Sequence, residues 1–170
     1  VSNWGGTLGL TPVKIFHKGY YNHMEESHEL LVSYGNEKIW DVLAENPRNR
    51  VVVFGEQPEM LRFPCSTQSY TDIEGSGGNF NLSSSPEALA EFFTFAGVDH
   101  IYLGSGYLKP GTDGFRNVTG LLKQGYLSDL LYENGNGLAV FSPEPRELSA
   151  EESEALLAEF TEKYWPGEQQ

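Results

Sequence analysis

Apolar positions divide the chain into stretches of different period. Ile39, Trp40, Val42 and Leu43 recur at helical spacing after Asn36, and Asn46-Pro47 stops the run. A short helix is predicted over about 37–45, with Asn36 at its N-cap. Val51-Val52-Val53-Phe54 is apolar without alternation and mostly β-branched, the composition of a strand covered on both faces in a parallel or mixed sheet. Ser85-Pro86-Glu87 opens a second helix over about 86–96: Ser85 caps, Pro86 suits the first helical position, and Leu89, Phe92, Phe93 and Ala96 form one apolar face before Gly97. His100-Ile101-Tyr102-Leu103 reads as the next strand. Thr112-Asp113-Gly114 then opens a helix over about 115–124, with Val118, Leu121 and Leu122 apolar and Gly125 past its end.

Leu130–Glu133 and Leu138–Phe141 flank Asn134-Gly135-Asn136-Gly137, a hairpin signature because Asn and Gly tolerate positive φ. Ser149-Ala150-Glu151-Glu152 is a capping box that starts the last helix, which carries Leu156, Leu157, Phe160 and Tyr164 on one side before Pro166. The order predicts an α/β fold: a layered α/β sandwich on a mixed sheet, with central strands near 51–54 and 100–103 and a C-terminal β-hairpin followed by a helix. Residues 1–36 show no sustained period and predict an irregular N-terminal arm packed on a single α/β domain of residues 37–170.

Composition narrows the partners. Eleven Lys and Arg against 24 Asp and Glu leave a formal charge of −13, which repels phosphate backbones and anionic headgroups, so no nucleic acid partner is expected. The single cysteine, Cys65, excludes an intrachain disulfide and a cysteine zinc cage within these residues. No apolar run reaches the roughly 20 residues that span a bilayer, and no signal peptide pattern is present. Starting at Val1, the chain reads as processed or as a piece of a longer product, with any membrane tie outside these residues.

Two glycine-rich stretches are the candidates for chemistry. In Thr71-Asp72-Ile73-Glu74-Gly75-Ser76-Gly77-Gly78-Asn79, glycines let the backbone approach a ligand while Asp72, Glu74, Ser76 and Asn79 supply polar groups for sugar hydroxyls or a hard cation. A turn whose side chains cap their own backbone has the same composition. The spacing is not that of an EF-hand. The second stretch, Gly104 to Gly114, lies between a strand and a helix, where open α/β sheets bind ligands. Lys109 stands where a dinucleotide fingerprint needs glycine, and Gly111 is followed by Thr112-Asp113 rather than the Lys-Ser/Thr of a phosphate loop. Neither Ser76 nor Ser105 lies in a nucleophile elbow, and His23 and His28 are not spaced for a helical metal site. No metal site and no cofactor are expected.

The strings Arg50–Glu56, Thr71–Asn79 and Gly97-Val98-Asp99-His100-Ile101-Tyr102-Leu103-Gly104 resemble the soluble extracytoplasmic C-terminal domain of bacterial polytopic membrane proteins similar to C-class glycosyltransferases, which use polyprenyl-phosphate sugars. The resemblance spans about residues 38–141, with His100 where an aromatic residue is expected. It implies that catalytic carboxylates lie between the membrane helices of the parent protein, so none carries over to Asp72 or Glu74. The expected function is then a non-catalytic accessory domain on the extracytoplasmic face of a bacterial membrane. It positions or binds a glycan or polypeptide acceptor beside the membrane-embedded part of the same chain. Asp72, Glu74, Ser76, Asn79 and Tyr107 are the expected ligand surface; Tyr70, Phe80, Tyr102 and Tyr107 flank the two glycine-rich loops, and most of these aromatics are expected to be core. Two alternatives remain: a free-standing binding module for a small polar ligand or a protein partner, and a small metal-dependent enzyme using the Asp72/Glu74 loop.

Overall fold

Burial along the strands shows how the layers form. In β1 (Arg50–Phe54) every residue after Arg50 is buried, so helices cover both faces of this strand. The computed structural model describes residues 29, 35–55, 61, 63–70 and 84–164. Apart from residues 29, 35 and 36, the predicted arm lies outside them. The remaining elements are α1 (Glu37–Ala44), β2 (Ser66–Ser69), α2 (Pro86–Ala96), β3 (His100–Leu103), α3 (Asp113–Lys123), β4 (Leu127–Glu133), β5 (Asn136–Phe141) and α4 (Ala150–Tyr164). No helix of the described residues is long and apolar enough to cross a membrane.

The strands form a five-stranded mixed sheet in the order β2-β1-β3-β5-β4. β2, β1 and β3 run parallel, while β5 is antiparallel to both β3 and β4. Alternation along the strands sends Val52, Phe54, Ile101, Leu103, Ala139 and Phe141 to one face, where they meet Leu89 and Phe93 of α2, Val118, Leu121 and Leu122 of α3, and Phe160 and Tyr164 of α4. Val51, Val53, Tyr102 and Leu138 face the other way, onto Ile39 and Leu43 of α1 and onto Phe63. The α/β sandwich, its two central strands and the closing hairpin and helix are as the sequence predicts.

Local signals account for most boundaries. Ser85 Oγ accepts from Ala88 N–H, and Gly97 ends α2 in the left-handed region at φ 64°. Ser149 and Glu152 exchange the two hydrogen bonds of a capping box, 3.2 and 2.8 Å long. Asn134 (φ 49°) and Gly135 (φ 80°) turn the hairpin. Several details differ from expectation, among them the strand β2, which the apolar pattern does not mark, and the start of β5 at Asn136. α3 begins at Asp113 because Thr112 caps it, accepting from Phe115 N–H. β4 begins at Leu127, ahead of a bulge at Asp129 (φ 48°) that interrupts its alternation. The N-cap side chain of Asn36 makes no capping bond; the free N–H groups of Lys38 and Ile39 are instead taken by the Glu133 carboxylate of β4, at 2.9 and 3.3 Å.

Candidate functional site

The parallel strands β1 and β3 end at the same edge of the sheet, and the loop after β3 is held there from several directions. Gly104 N–H donates to Phe54 O at 2.7 Å. A Cβ at position 104 would stand 3.2 Å from that oxygen, so the close approach of the two strand ends favours glycine. Tyr164, from the end of α4, donates its hydroxyl to Gly104 O and accepts from Leu108 N–H at 3.4 Å. Asn136 of β5 accepts from Ser105 N–H at 2.9 Å. Thr112 Oγ1 donates to Lys109 O at 2.7 Å and closes the far end of the loop. These bonds fix the loop before any ligand arrives, which lowers the ordering cost of binding.

Beside this loop lies a cleft of about 310 Å³ lined by Tyr70, Tyr107, Leu108, Thr112, Asp113 and Gly114. Its size is at the lower end of small-molecule sites, roughly 300–1,000 Å³. Tyr70 is buried, with its ring stacked on Phe54 at 4.2 Å between centroids, and its hydroxyl accepts from Asn117 Nδ2 at 3.3 Å. Gly114 keeps the start of α3 close to this wall: a Cβ there would lie 3.3 Å from Leu108 Cδ2 and 3.4 Å from Tyr70 Cε1. Tyr107 is half-buried and offers the cleft part of its ring.

Charge decides what kind of ligand suits the cleft. A helix N-terminus ordinarily attracts phosphate, but the first residue of α3 is Asp113, whose carboxylate answers that positive end and ion-pairs Arg116 at 2.6 Å. A phosphate entering here would meet a carboxylate. A neutral polyol would find an aromatic face, the Thr112 hydroxyl and the Asp113 oxygens, the combination that orients sugars.

Tyr107 is the one expected ligand residue among those described, and it lines the cleft. Asp72, Glu74, Ser76, Asn79 and Phe80 lie outside the described residues; Tyr70, the last described position before that stretch, forms the cleft wall. Tyr102 is a core residue, as expected of most of the aromatics beside the loops. It belongs to the opposite face of the sheet, where its hydroxyl donates to Asn36 Oδ1 at 3.1 Å and burial pushes its phenol up to about 12. Thr112 and Asp113 belong to the second glycine-rich stretch, Gly104 to Gly114, whereas Asn136 and Tyr164, which support the loop, lie outside both candidate stretches. Thr112-Asp113 carried a local signal, a cap followed by an acid at a helix start. Asn136 and Tyr164 act across long sequence distances, and their local patterns pointed to a turn and a core stripe.

The other reactive groups sit in quiet surroundings. Burial, with the charge of Asp99, pushes the Cys65 thiol up to about 11, which keeps it protonated and unreactive near neutral pH. Burial also holds His100 below the usual histidine range, against the opposing pull of Asp99. Among the described residues no group of three or more His, Cys, Asp or Glu side chains is placed to hold a metal ion. Asp113, the carboxylate among the described lining residues, is engaged with Arg116. In comparisons with known proteins the chain matches no family model, no curated protein and no solved structure.

Proposed function

We propose that this chain is a binding domain whose cleft beyond β1 and β3 holds a glycan or the glycan-like part of an acceptor. In this reading it is a non-catalytic, extracytoplasmic accessory domain of a bacterial membrane protein of the glycosyltransferase type, as the resemblance of residues 38–141 implies. The observation that carries the binding role is the joint presence of Tyr107, Thr112 and Asp113 around a cleft whose rim is tied down by Tyr164 and Asn136. Asp113 at the start of α3 favours the neutral sugar portion of a ligand over any phosphate it carries. Such a domain assists transfer by orienting an acceptor for a reaction centre elsewhere, raising the rate through positioning and not through proton transfer.

Two experiments test the two halves of this reading. Titration of the isotope-labelled chain with neutral oligosaccharides of mannose, glucose or N-acetylglucosamine should shift the amides of Tyr107, Thr112 and Asp113. Fractionation of source cells, probed with an antibody to this chain, should find it in a large, salt-resistant membrane species. A soluble species of this chain's own size would remove the membrane parent and leave the alternative of a free-standing module using the same cleft.

A further inference from the structure

At the other end of the sheet, α2 exposes a surface that neither the core nor the cleft uses. Helical spacing places Glu87, Glu91, Thr94 and Phe95 on the side of α2 away from its buried Leu89 and Phe93. Phe95 is 90% exposed, the most exposed large hydrophobic side chain among the described residues. It borders a shallow groove of about 370 Å³ lined also by Ala90, Tyr126 and Pro143, with both glutamates on the rim. The walls are stiff: Tyr126 stacks parallel to Phe141 at 6.0 Å, Pro143 has a fixed φ, and Thr94 ties its hydroxyl back to Ala90 O at 2.8 Å. Nε2 of Gln124, the C-cap of α3, donates to the Glu87 carboxylate and holds it in place.

We infer that this groove docks a basic polypeptide segment of another protein, one that seats an apolar side chain against Phe95, Tyr126 and Pro143 and sets Lys or Arg side chains against Glu87 and Glu91. Charge selects this occupant. The groove carries two carboxylates on a chain of formal charge −13, so a second copy of the chain would bring like charge to like charge, whereas a basic segment gains attraction at the rim and burial at the centre. An apolar centre with a charged rim is also the usual anatomy of a protein interface. The surface is independent of the sugar-binding proposal, because α2 leads through Gly97 into the start of β3 and the cleft lies beyond its end.

The test uses two labelled synthetic peptides of equal length and charge, one alternating Leu and Lys and one alternating Ser and Lys, followed by fluorescence anisotropy. The Leu-Lys peptide should bind the wild-type chain about tenfold or more tightly than the Ser-Lys peptide, the margin expected of a seated apolar anchor. Phe95→Ser should erase that margin. The double variant Glu87→Gln/Glu91→Gln should weaken Leu-Lys binding and flatten its salt dependence, while Glu151→Gln/Glu154→Gln on the exposed side of α4 leaves both unchanged. Amide shifts on the wild-type chain should centre on Glu91, Thr94, Phe95 and Tyr126, a readout that needs no variant to fold. Equal affinity for the two peptides, a margin that survives Phe95→Ser, shifts centred elsewhere, or dimerisation of the chain through Phe95 would each overturn the inference.

Discussion

Tyr164 shows how much one hydroxyl can organise. It spans from the last turn of α4 to two backbone groups of the loop that rims the cleft, and neither Gly104 O nor Leu108 N–H finds the same partner if it goes. Tyr164→Phe keeps the ring and its stacking on Phe160; Gly104 O still accepts from Tyr107 N–H at 3.2 Å, so the loss falls on Leu108 N–H and amounts to about 1–3 kcal/mol. Denaturant unfolding should register that loss, and hydrogen exchange at Leu108 should quicken more than at core amides; unchanged exchange there would mean the hydroxyl does not hold the loop. A second consequence is alkaline lability. Burial pushes both Tyr102 and Tyr164 from the usual 10 up to about 12, so the folded state prefers their neutral forms. A folded pKa raised above the unfolded one gives stability that is complete below about pH 10 and is lost as pH rises toward about 12. Tyrosinate absorbance should therefore rise late for these groups, together with a falling denaturant midpoint over that window. A midpoint flat to the top of the range would contradict the burial of both phenols.

Among the elements, α2 was the most legible because its signals are local: Ser85, Pro86 and Gly97 lie within one turn of its ends. β2 was invisible to apolar patterning, since Ser66-Thr67-Gln68-Ser69 is an edge strand with three of its four residues exposed and joins the sheet through backbone bonds to β1. The cap of α1 was hidden for a different reason, since its acceptor, Glu133, lies on a strand far along the chain. The position of the cleft followed from a strand, a glycine-rich turn and a helix in sequence; its supports did not, because Asn136 and Tyr164 reach it only through the fold. Tyr102 was legible as a core residue of a strand, and a period of two sets it on the face opposite Ile101 and Leu103.

Helix contact supplies the prediction at this scale. A Cβ at Gly120 of α3 would lie 2.1 Å from Pro86 Cγ of α2, against a ring that cannot rotate away. Gly120→Ala gains about 1 kcal/mol of helix propensity but forces apart a packed contact at a cost of about 1–3 kcal/mol. The clash should win, and the variant should melt below wild type. A higher melting temperature would show that α2 and α3 pack less tightly.

For the molecule as a whole, the two ends of the sheet carry surfaces of different character. The cleft beyond β1 and β3 is small, rigidly rimmed and shielded from phosphate by Asp113, while the α2 groove at the other end is open, apolar at its centre and acidic at its rim. A net charge of −13 favours neutral or basic ligands at both. The most direct measurement is the titration of the labelled chain with neutral oligosaccharides, run in parallel on Tyr107→Ala. Shifts that saturate and map to Tyr107, Thr112 and Asp113, and that vanish in the variant while its core amides keep their wild-type positions, are the predicted result. Shifts absent from those three positions, or unchanged in Tyr107→Ala, would contradict a sugar-binding cleft.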